Sequence, residues 1–449
     1  MTRSTFGLLI LACGLVAASL RDCPVGVAGG GLFQNRAVGG VAVDANGVLE
    51  APTVQDDQEL AQLREQTKLQ VPAGLQEYTD LRAVSLKQLE ATLKQCHDEM
   101  KPIPDEVKYL AGLQRVQYVF VYPDRNDIVI AGPAEGWQFD ALGNVVGVTT
   151  NRPVILLDDL MVALRSGSTS RTEPITCSID PTQEGLARLQ AAVSRMRTIG
   201  DSEQTLNRIE EALGPQTISV TGVADTSHFA RTMVAADFRM KRIAMDFEES
   251  PVKGMPSFLS MVGSGGKGMN NMLPRWWLAP DYKPLARTSD GLGWELRGQG
   301  VKCMSNEDYV DSTGERTVGV SKNPVAEKWA NTMTEKYSEL AEKDSSFGEL
   351  RNIMDLAVIG ALIEKEQLLN TASLKLPRLM GEQSLERYPA PKHTASKASA
   401  IKKRGQWVIS ASGGVEMLPW HIANETETVE TVGDVRSDLS ADVKEFWWE

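Results

Sequence analysis

The segment from Gln216 to Met245 has the clearest pattern of apolar and polar positions in the chain. Residues 217–223 combine β-branched and apolar residues, which is typical of a half-buried strand. Three residues could cap the helix that follows: Asp225, Thr226 and Ser227. The apolar side of that helix consists of Phe229, Met233, Ala236 and Met240. Ile243 and Met245 begin a second predicted strand.

The same patterns elsewhere mix helices with closely linked strands. Hairpins are predicted at 39–49, 116–131 and 137–148, and a strand is predicted over 175–178. Asp180-Pro181 is expected to start a helix that runs to about Ile199. Short links between strands favour antiparallel pairing, so the predicted class is α+β with mostly antiparallel sheets.

Two further helices are predicted late in the chain. Asn323-Pro324 begins an amphipathic helix, and Ser346 with Glu349 forms a capping box before the next one. That second helix is apolar over much of its surface between residues 350 and 362, which predicts a central core helix.

The length of 449 residues predicts more than one packing unit. Residues 375–405 contain eight basic and two acidic residues, whereas residues 421–449 contain eight acidic and two basic ones. The predicted organisation is a signal peptide (1–18), an N-terminal α+β unit (39–213), a central α+β unit with two C-terminal helices (214–376), a basic linker (377–405), a returning hairpin (406–420) and an acidic tail (421–449).

The N-terminus has the pattern of a secretory signal peptide. Arg3 precedes a short apolar run, and Val16-Ala17-Ala18 is a small-residue cleavage site. Lipoprotein processing at Cys13 is the alternative. We therefore expect an exported protein that is periplasmic, cell-surface or extracellular. No transmembrane segment is expected in the mature chain, because the apolar run 353–363 is too short and contains Asp355.

The net charge of −12 and the isoelectric point near 5.1 disfavour binding to nucleic acid, so no nucleic-acid partner is expected. An envelope or extracellular partner is the remaining expectation. The glycine-rich run Gly263–Gly268 lacks the Gly-Lys-Ser/Thr ending of a phosphate-binding loop. No cofactor is expected.

Export would also permit disulfide formation among the cysteines. Cys96, Cys177 and Cys303 are candidates, together with Cys23, and buried free thiols are the equal alternative. The wide cysteine spacing contains no pair at zinc-ligand distance in sequence, so no metal site is expected.

His228 is the main catalytic candidate, because Asp225 and Ser227 lie beside it at the predicted strand-to-helix turn. An aspartate can orient a histidine that acts as a general base. The simpler interpretation is that Asp225 and Ser227 cap the helix, while His228 projects with Thr232 and Ala235 toward its polar side.

A dense aromatic group forms the candidate binding site, which comprises Trp276, Trp277, Tyr282 and Trp294. Adjacent residues on a strand face opposite ways, so at least one of Trp276 and Trp277 is expected in the core. The other is a candidate stacking platform for a sugar ring or a peptide. Packing in the core is the alternative for the whole group.

A resemblance to a known family rests on these segments: Tyr109–Pro123, Ala131–Trp137, Cys177–Thr182, Ser227–Arg231 with Arg239–Lys241, and Pro274–Trp277. They resemble a family of exported planctomycete proteins known only as a domain of unknown function. The resemblance extends roughly from Gly39 to Trp420. It implies export and one shared architecture, but no activity, ligand or catalytic residue.

The function expected from the sequence is that of an exported, non-catalytic protein that binds a partner or belongs to the cell envelope. A hydrolase-like enzyme that uses His228 with Asp225 is the alternative.

Export gives the first testable prediction. We expect the mature chain from the native host to begin within a few residues of Ser19, because the cleavage pattern ends at Ala18. N-terminal sequencing checks this. An intact Met1 on a cytosolic product would contradict the prediction, and a lipid on Cys13 would favour the alternative.

Overall fold

Strands form where buried and more exposed residues alternate, as in the segment Ile175–Pro181. A computed structural model of the chain describes residues 41–44, 46–51, 71–140, 142–195, 202–262, 274–310, 316–321, 323–381, 386–401, 406–408 and 411–442. The strands in these residues, numbered in chain order, are β1 (Ala42–Val43), β2 (Val48–Glu50), β3 (Thr79–Ser85), β4 (Tyr118–Tyr122), β5 (Asp127–Ala134), β6 (Trp137–Phe139), β7 (Val145–Gly147), β8 (Ile175–Pro181), β9 (Gln216–Thr221), β10 (Pro274–Asp281), β11 (Leu285–Arg287), β12 (Gly293–Glu295), β13 (Gly300–Val310), β14 (Arg316–Ser321), β15 (His393–Thr394), β16 (Ser399–Ile401), β17 (Gln406–Val408), β18 (Ser412–Met417) and β19 (Thr426–Thr428).

Helices occupy the intervals between these strands. They are α1 (Leu86–Asp98), α2 (Asp105–Lys108), α3 (Leu157–Thr169), α4 (Gln183–Ser194), α5 (Ser202–Leu213), α6 (His228–Ala244), α7 (Phe258–Val262), α8 (Pro324–Glu335), α9 (Tyr337–Lys343), α10 (Ser345–Lys365), α11 (Leu368–Thr371), α12 (Pro419–Asn424) and α13 (Thr431–Asp442).

Two large sheets hold most of the strands. The first sheet has the order β1-β2-β15-β9-β8-β18-β10-β13-β14, and the second has the order β19-β11-β12-β4-β5-β3. Among the strand pairs of the described residues, twelve are antiparallel and three are parallel. The predicted α+β class with mostly antiparallel sheets is therefore confirmed.

The core is built around α10, which is buried along nearly its whole length, as its apolar sequence predicts. It packs against α3 at a point where two glycines face each other. A Cβ on Gly360 would lie 2.3 Å from the carbonyl oxygen of Ala163, and one on Gly167 would lie 2.5 Å from that of Gly360. The absence of both side chains allows the two helix backbones to approach closely.

One buried carboxylate ties both sheets to this helix. Asp355 of α10 is fully buried, and its Oδ2 accepts a hydrogen bond from Arg115 Nε at 2.8 Å. Its Oδ1 accepts one from the Tyr282 hydroxyl at 2.6 Å. Arg115 precedes β4 of the second sheet, and Tyr282 follows β10 of the first.

The end of the chain returns to the centre of the first sheet. Strand β18 lies between β8 and β10, and it is parallel to β10. Among the described residues of the predicted hairpin (406–420), β17 and β18 therefore do not pair with each other, because β17 pairs with β16 instead. Trp420 lies in α12, and the acidic segment 421–442 contains β19 and α13. All described residues lie within one compact unit, and β8 and β9, on either side of the predicted boundary at residue 213, are neighbours.

Local differences from the predicted elements have simple causes. The predicted strand from Ile243 is wrong because α6 continues to Ala244. Asp180-Pro181 ends β8, and the Thr182 hydroxyl accepts the hydrogen bond from the Gly185 amide in the first turn of α4. The carboxylate of Asp344 rather than the hydroxyl of Ser346 caps α10.

Three predicted features lie outside the described residues. These are the signal peptide (1–18) with Cys13 and Cys23, the glycine-rich run Gly263–Gly268, and the end of the acidic tail (443–449). In the helices of the described residues, no segment is both long and apolar enough to cross a membrane.

The glycine contact gives the second prediction. Gly360→Ala should lower the free energy of unfolding by about 1–3 kcal/mol, because the added methyl group meets the backbone of α3. Chemical denaturation measures this difference. Gly74→Ala is the matched control, since nothing lies within 4 Å of a Cβ built there. A Gly360→Ala variant as stable as the wild type would show that the two helices can separate at no cost.

Candidate functional site

His228 is the first residue of α6, and it is buried with 6% exposure. Its Nδ1 lies 2.9 Å from Oδ2 of Asp159 and 3.1 Å from Oδ1. The ring of Tyr388 packs edge-on against it, with 5.8 Å between the ring centroids. The prediction that His228 projects toward a polar side is wrong, because Thr232 and Ala235 are fully buried as well.

The three candidate residues at the start of α6, Asp225, Ser227 and His228, have different environments. Ser227 caps the helix, since its hydroxyl accepts the amide hydrogen bond of Ala230 at 3.1 Å. Asp225 is exposed, and the carboxylate that engages the imidazole belongs to Asp159 of α3. Ser227 and His228 are therefore adjacent, as predicted, but the carboxylate beside His228 is that of Asp159 and not that of Asp225.

The electrostatics of this cluster favour a structural ion pair. Burial alone would lower the pKa of His228, but the carboxylate of Asp159 outweighs burial and raises that pKa to about 9. Burial raises the pKa of Glu349 in α10 to about 8, in spite of the opposing effect of His228. At pH 7 the imidazole is protonated, so it has no free lone pair with which to accept a proton from a substrate.

The aromatic candidates separate into core and surface residues. Trp276 is fully buried, with its ring centroid 4.8 Å from that of Trp329. Trp294 is buried at 1% exposure, and Tyr282 is engaged with Asp355. Trp277 is only partly buried and lies on the opposite side of β10 from Trp276. The prediction that at least one residue of the pair faces the core is confirmed.

Trp277 belongs to a row of residues across the solvent-facing side of the first sheet. The row runs over β13, β10, β18, β8 and β9, and its members are Met304, Trp277, Gly414, Ser178 and Ser219. At about 4.8 Å between strands, it spans roughly 19 Å. Met304 is 39% exposed and Ser219 is exposed. We call this set the tryptophan row.

Glycine in the middle of the row leaves the sheet flat beside the indole. A Cβ on Gly414 would lie 1.8 Å from the carbonyl oxygen of Cys177, so a side chain is excluded there. Hydroxyl groups flank the row: Thr176 and Thr221 face each other across β8 and β9, with their oxygens 2.7 Å apart. The surface therefore combines an aromatic face with short hydrogen-bonding side chains.

A cavity of about 190 Å³ lies between the C-terminal half of α6 and the first sheet. Its lining includes Ile179, Gln216, Phe238, Lys241 and Met245. The ammonium group of Lys241 already donates to Asp237 at 2.8 Å and to the carbonyl oxygen of Ile179 at 2.8 Å. The positions of residues 228 and 241 on one helix place the cavity about 20 Å from the start of α6.

The three cysteine candidates are free thiols, and all are buried. Burial raises the pKa of the Cys177 and Cys303 thiols, which leaves both groups protonated and unreactive at neutral pH. Within the described residues, no cluster of three or more histidine, cysteine or acidic side chains could hold a metal ion.

Sequence analysis gave no role to Asp159 or Tyr388, and it named Glu349 only as part of a capping box. Asp159 lies in the first turn of α3, a position that acidic side chains favour for local reasons, so its residue type alone does not mark a site. The polar positions of Thr217, Ser219 and Thr221 alternate along β9, and this pattern is the signal that could have revealed the hydroxyl-rich sheet face.

Comparison with protein families gives one match. A family model described as a protein of unknown function, DUF1598, matches residues 177–258, which run from β8 through α6 to the start of α7. The chain thus contains a domain of unknown function over this segment. Comparison with the curated proteins gives no match, and comparison with the solved structures gives none either.

The His228 ion pair gives the third prediction. The folded pKa of about 9 lies above the unfolded value of about 6.5, so the stabilisation is complete below pH 6.5 and is lost as pH rises toward 9. We expect a loss on the order of 3 kcal/mol across this window for the wild type. The raised pKa of Glu349 acts in the same direction from about pH 4.5 to 8.

Denaturation at pH 6.5, 8 and 9 tests this expectation. His228→Gln should flatten the curve, Glu349→Gln should flatten part of it, and the exposed His97 gives the control His97→Gln. Equal pH dependence in wild type and His228→Gln would contradict the assignment.

Proposed function

We propose that this protein is a non-catalytic binding protein that holds a neutral glycan on the tryptophan row, at or beyond the cell surface. The observation that carries the proposal is the partly exposed Trp277 beside side-chain-free Gly414 on a hydroxyl-rich sheet face. The apolar C–H face of a sugar ring stacks on an indole, while its hydroxyl groups exchange hydrogen bonds with serine and threonine.

The dimensions of the surface suit a chain of sugars rather than a single ring. The row spans roughly 19 Å, because its five strands lie about 4.8 Å apart. A sugar unit in a chain is about as long as one such spacing, so the row matches about four units. Thr176 and Thr221 on one side, with Asp180 and Thr217 on the other, provide acceptors and donors along that length. A flat face with alternating hydroxyl groups would contact such a chain along its length.

The charge of the face favours a neutral ligand. Arg275 and Lys302 are balanced by Asp180 and Glu416 on the same side of the sheet. The net charge of −12 of the whole chain disfavours an acidic polymer. Protein–protein interfaces are depleted in serine at their centres, so a protein partner fits this surface less well.

The hydrolase alternative has no comparable support. His228 is buried, is held protonated beside Asp159, and lies under the ring of Tyr388. A general base needs a substrate within hydrogen-bond distance. These contacts support a role for the cluster in the stability of α6.

The fourth prediction tests the glycan site. Trp277→Ala should weaken binding to a neutral polysaccharide at least tenfold, while Trp277→Phe should keep part of the affinity because it keeps an aromatic face. Calorimetric titration with soluble β-linked and α-linked glucans, and with neutral polysaccharide from the native host, measures this. Trp277 is partly buried, so the alanine variant should cost less stability than the ~3–5 kcal/mol of a buried tryptophan.

Tyr78→Ala provides the matched control, since Tyr78 is an exposed aromatic residue at 44% exposure and lies outside the first sheet. Ser219→Arg places a bulky side chain on the row without touching Trp277, and it should also weaken binding. Binding that survives both Trp277→Ala and Ser219→Arg would refute the proposed surface.

A further inference from the structure

Arg231 is a buried arginine of α6 whose guanidinium group has no hydrogen-bond partner among the described residues. Its side chain is 1% exposed, and within that part of the chain Nε, Nη1 and Nη2 have no acceptor at hydrogen-bond distance. The guanidinium group lies over the ring face of Tyr388, with 5.1 Å between the guanidinium carbon and the ring centroid. A stacked aromatic ring does not replace hydrogen bonds to a charged group.

Two other arginines show how such a group is satisfied elsewhere in the described residues. Arg82, at 4% exposure, donates to three backbone carbonyl oxygens, including that of Ala111 at 2.7 Å. The partly buried Arg115 forms two hydrogen bonds to Asp355. Arg351 shares with Arg231 an Nε that has no partner, but Arg231 alone among the buried arginines of these residues has all three guanidinium nitrogens in that state. An uncompensated buried charge is strongly destabilising, which favours a counterion at Arg231.

The acidic groups around the start of α6 do not compensate Arg231. Asp159 is engaged by His228 at 2.9 Å. Glu386 is exposed, and its carboxylate accepts a hydrogen bond from the Tyr388 hydroxyl at 3.0 Å. The carboxyl group of Glu349 is held largely neutral at pH 7 by burial, which raises its pKa to about 8.

The position of Arg231 on its helix strengthens the case for an anion. Arg231 lies in the first turn of the 17-residue helix α6, where the helix dipole leaves partial positive charge. Side chains on a helix point toward its N-terminus, so the guanidinium group lies over the same end. His228, the first residue of the helix, lies in the same turn, and Asp159 already compensates its charge.

We infer that Arg231 and the N-terminus of α6 form a binding site for a small oxyanion, with the size of a carboxylate group or inorganic phosphate. The guanidinium fork would donate two parallel hydrogen bonds to two oxygens of the anion. Tyr388 covers the site from the segment 386–392, and the Tyr388 amide anchors that segment to the Thr226 carbonyl oxygen at 2.9 Å. This site is separate from the tryptophan row, which lies on the solvent-facing side of the sheet.

Thermal unfolding with added anions tests the inference on the full chain. Sodium acetate and sodium phosphate are titrated at an ionic strength held constant with sodium chloride. For the wild type, Tm should rise with the logarithm of acetate or phosphate concentration once the site is occupied, because only the folded state binds. A rise with acetate alone identifies a carboxylate ligand, a rise with phosphate alone identifies a phosphate, and both support the site.

Variants connect the effect to the guanidinium group. Arg231→Met should abolish the anion-dependent rise in Tm, and Arg231→Lys should reduce it, since lysine keeps the charge but loses the fork. Arg171→Met is the matched control and should keep the full rise. Arg171 is an exposed arginine that stacks on Trp420, with 5.5 Å between the guanidinium carbon and the ring centroid.

Three results would overturn the inference. The first is a Tm that acetate and phosphate change no more than chloride does. The second is an Arg231→Met variant that keeps the anion response of the wild type. The third is an Arg231→Met variant that is more stable than the wild type at every anion concentration, which would identify Arg231 as an unpaired charge. If Arg231→Met does not fold, the comparison of Arg231→Lys with Arg171→Met decides the question.

Discussion

The carboxylate of Asp355 is the constraint on which the arrangement of the described fold depends. It is fully buried, and it is compensated by Arg115 before β4 and by Tyr282 after β10. Leaving a buried charge without its partner costs about 3–5 kcal/mol, so the two sheets and α10 must meet at this point. Once α10 is fixed, α3 and α6 can pack against it, and the clusters at the start of α6 take their places.

Much of the fold follows from local sequence patterns, whereas the candidate sites depend on contacts between residues that are far apart in the sequence. The strand β9, the hairpin of β4 and β5 and the buried helix α10 are visible as alternation, turn residues and an apolar run. The pleat of a strand also required that Trp276 and Trp277 face opposite ways, but it did not determine which of them is buried. That choice depends on Trp329 and Phe258, which pack around Trp276 from other elements.

The errors around α6 have one physical origin. Alanine, threonine and histidine on its second side resemble a solvent-facing surface, yet the helix is covered by α3, α10 and strands of the first sheet. Small side chains suit such a position because they let neighbouring backbones approach. The partner of His228 is 69 residues away in the chain, so no local spacing could have identified Asp159. Polar residues on a helix that is buried over most of its surface usually find partners inside the protein, as His228 does in Asp159 and Lys241 does in Asp237.

The position of β18 affects the order in which the chain can fold. Its neighbours β8 and β10 lie more than 100 residues earlier, and neither can complete its hydrogen bonds until residues 412–417 have been synthesised. Contacts between such distant segments slow folding, because a long loop must close before they form. Until then, two strand edges in the middle of the future sheet stay open to other chains. A chain shortened before Ser412 would keep those open edges permanently, so aggregation, rather than loss of a peripheral segment, is the expected fate of late truncations.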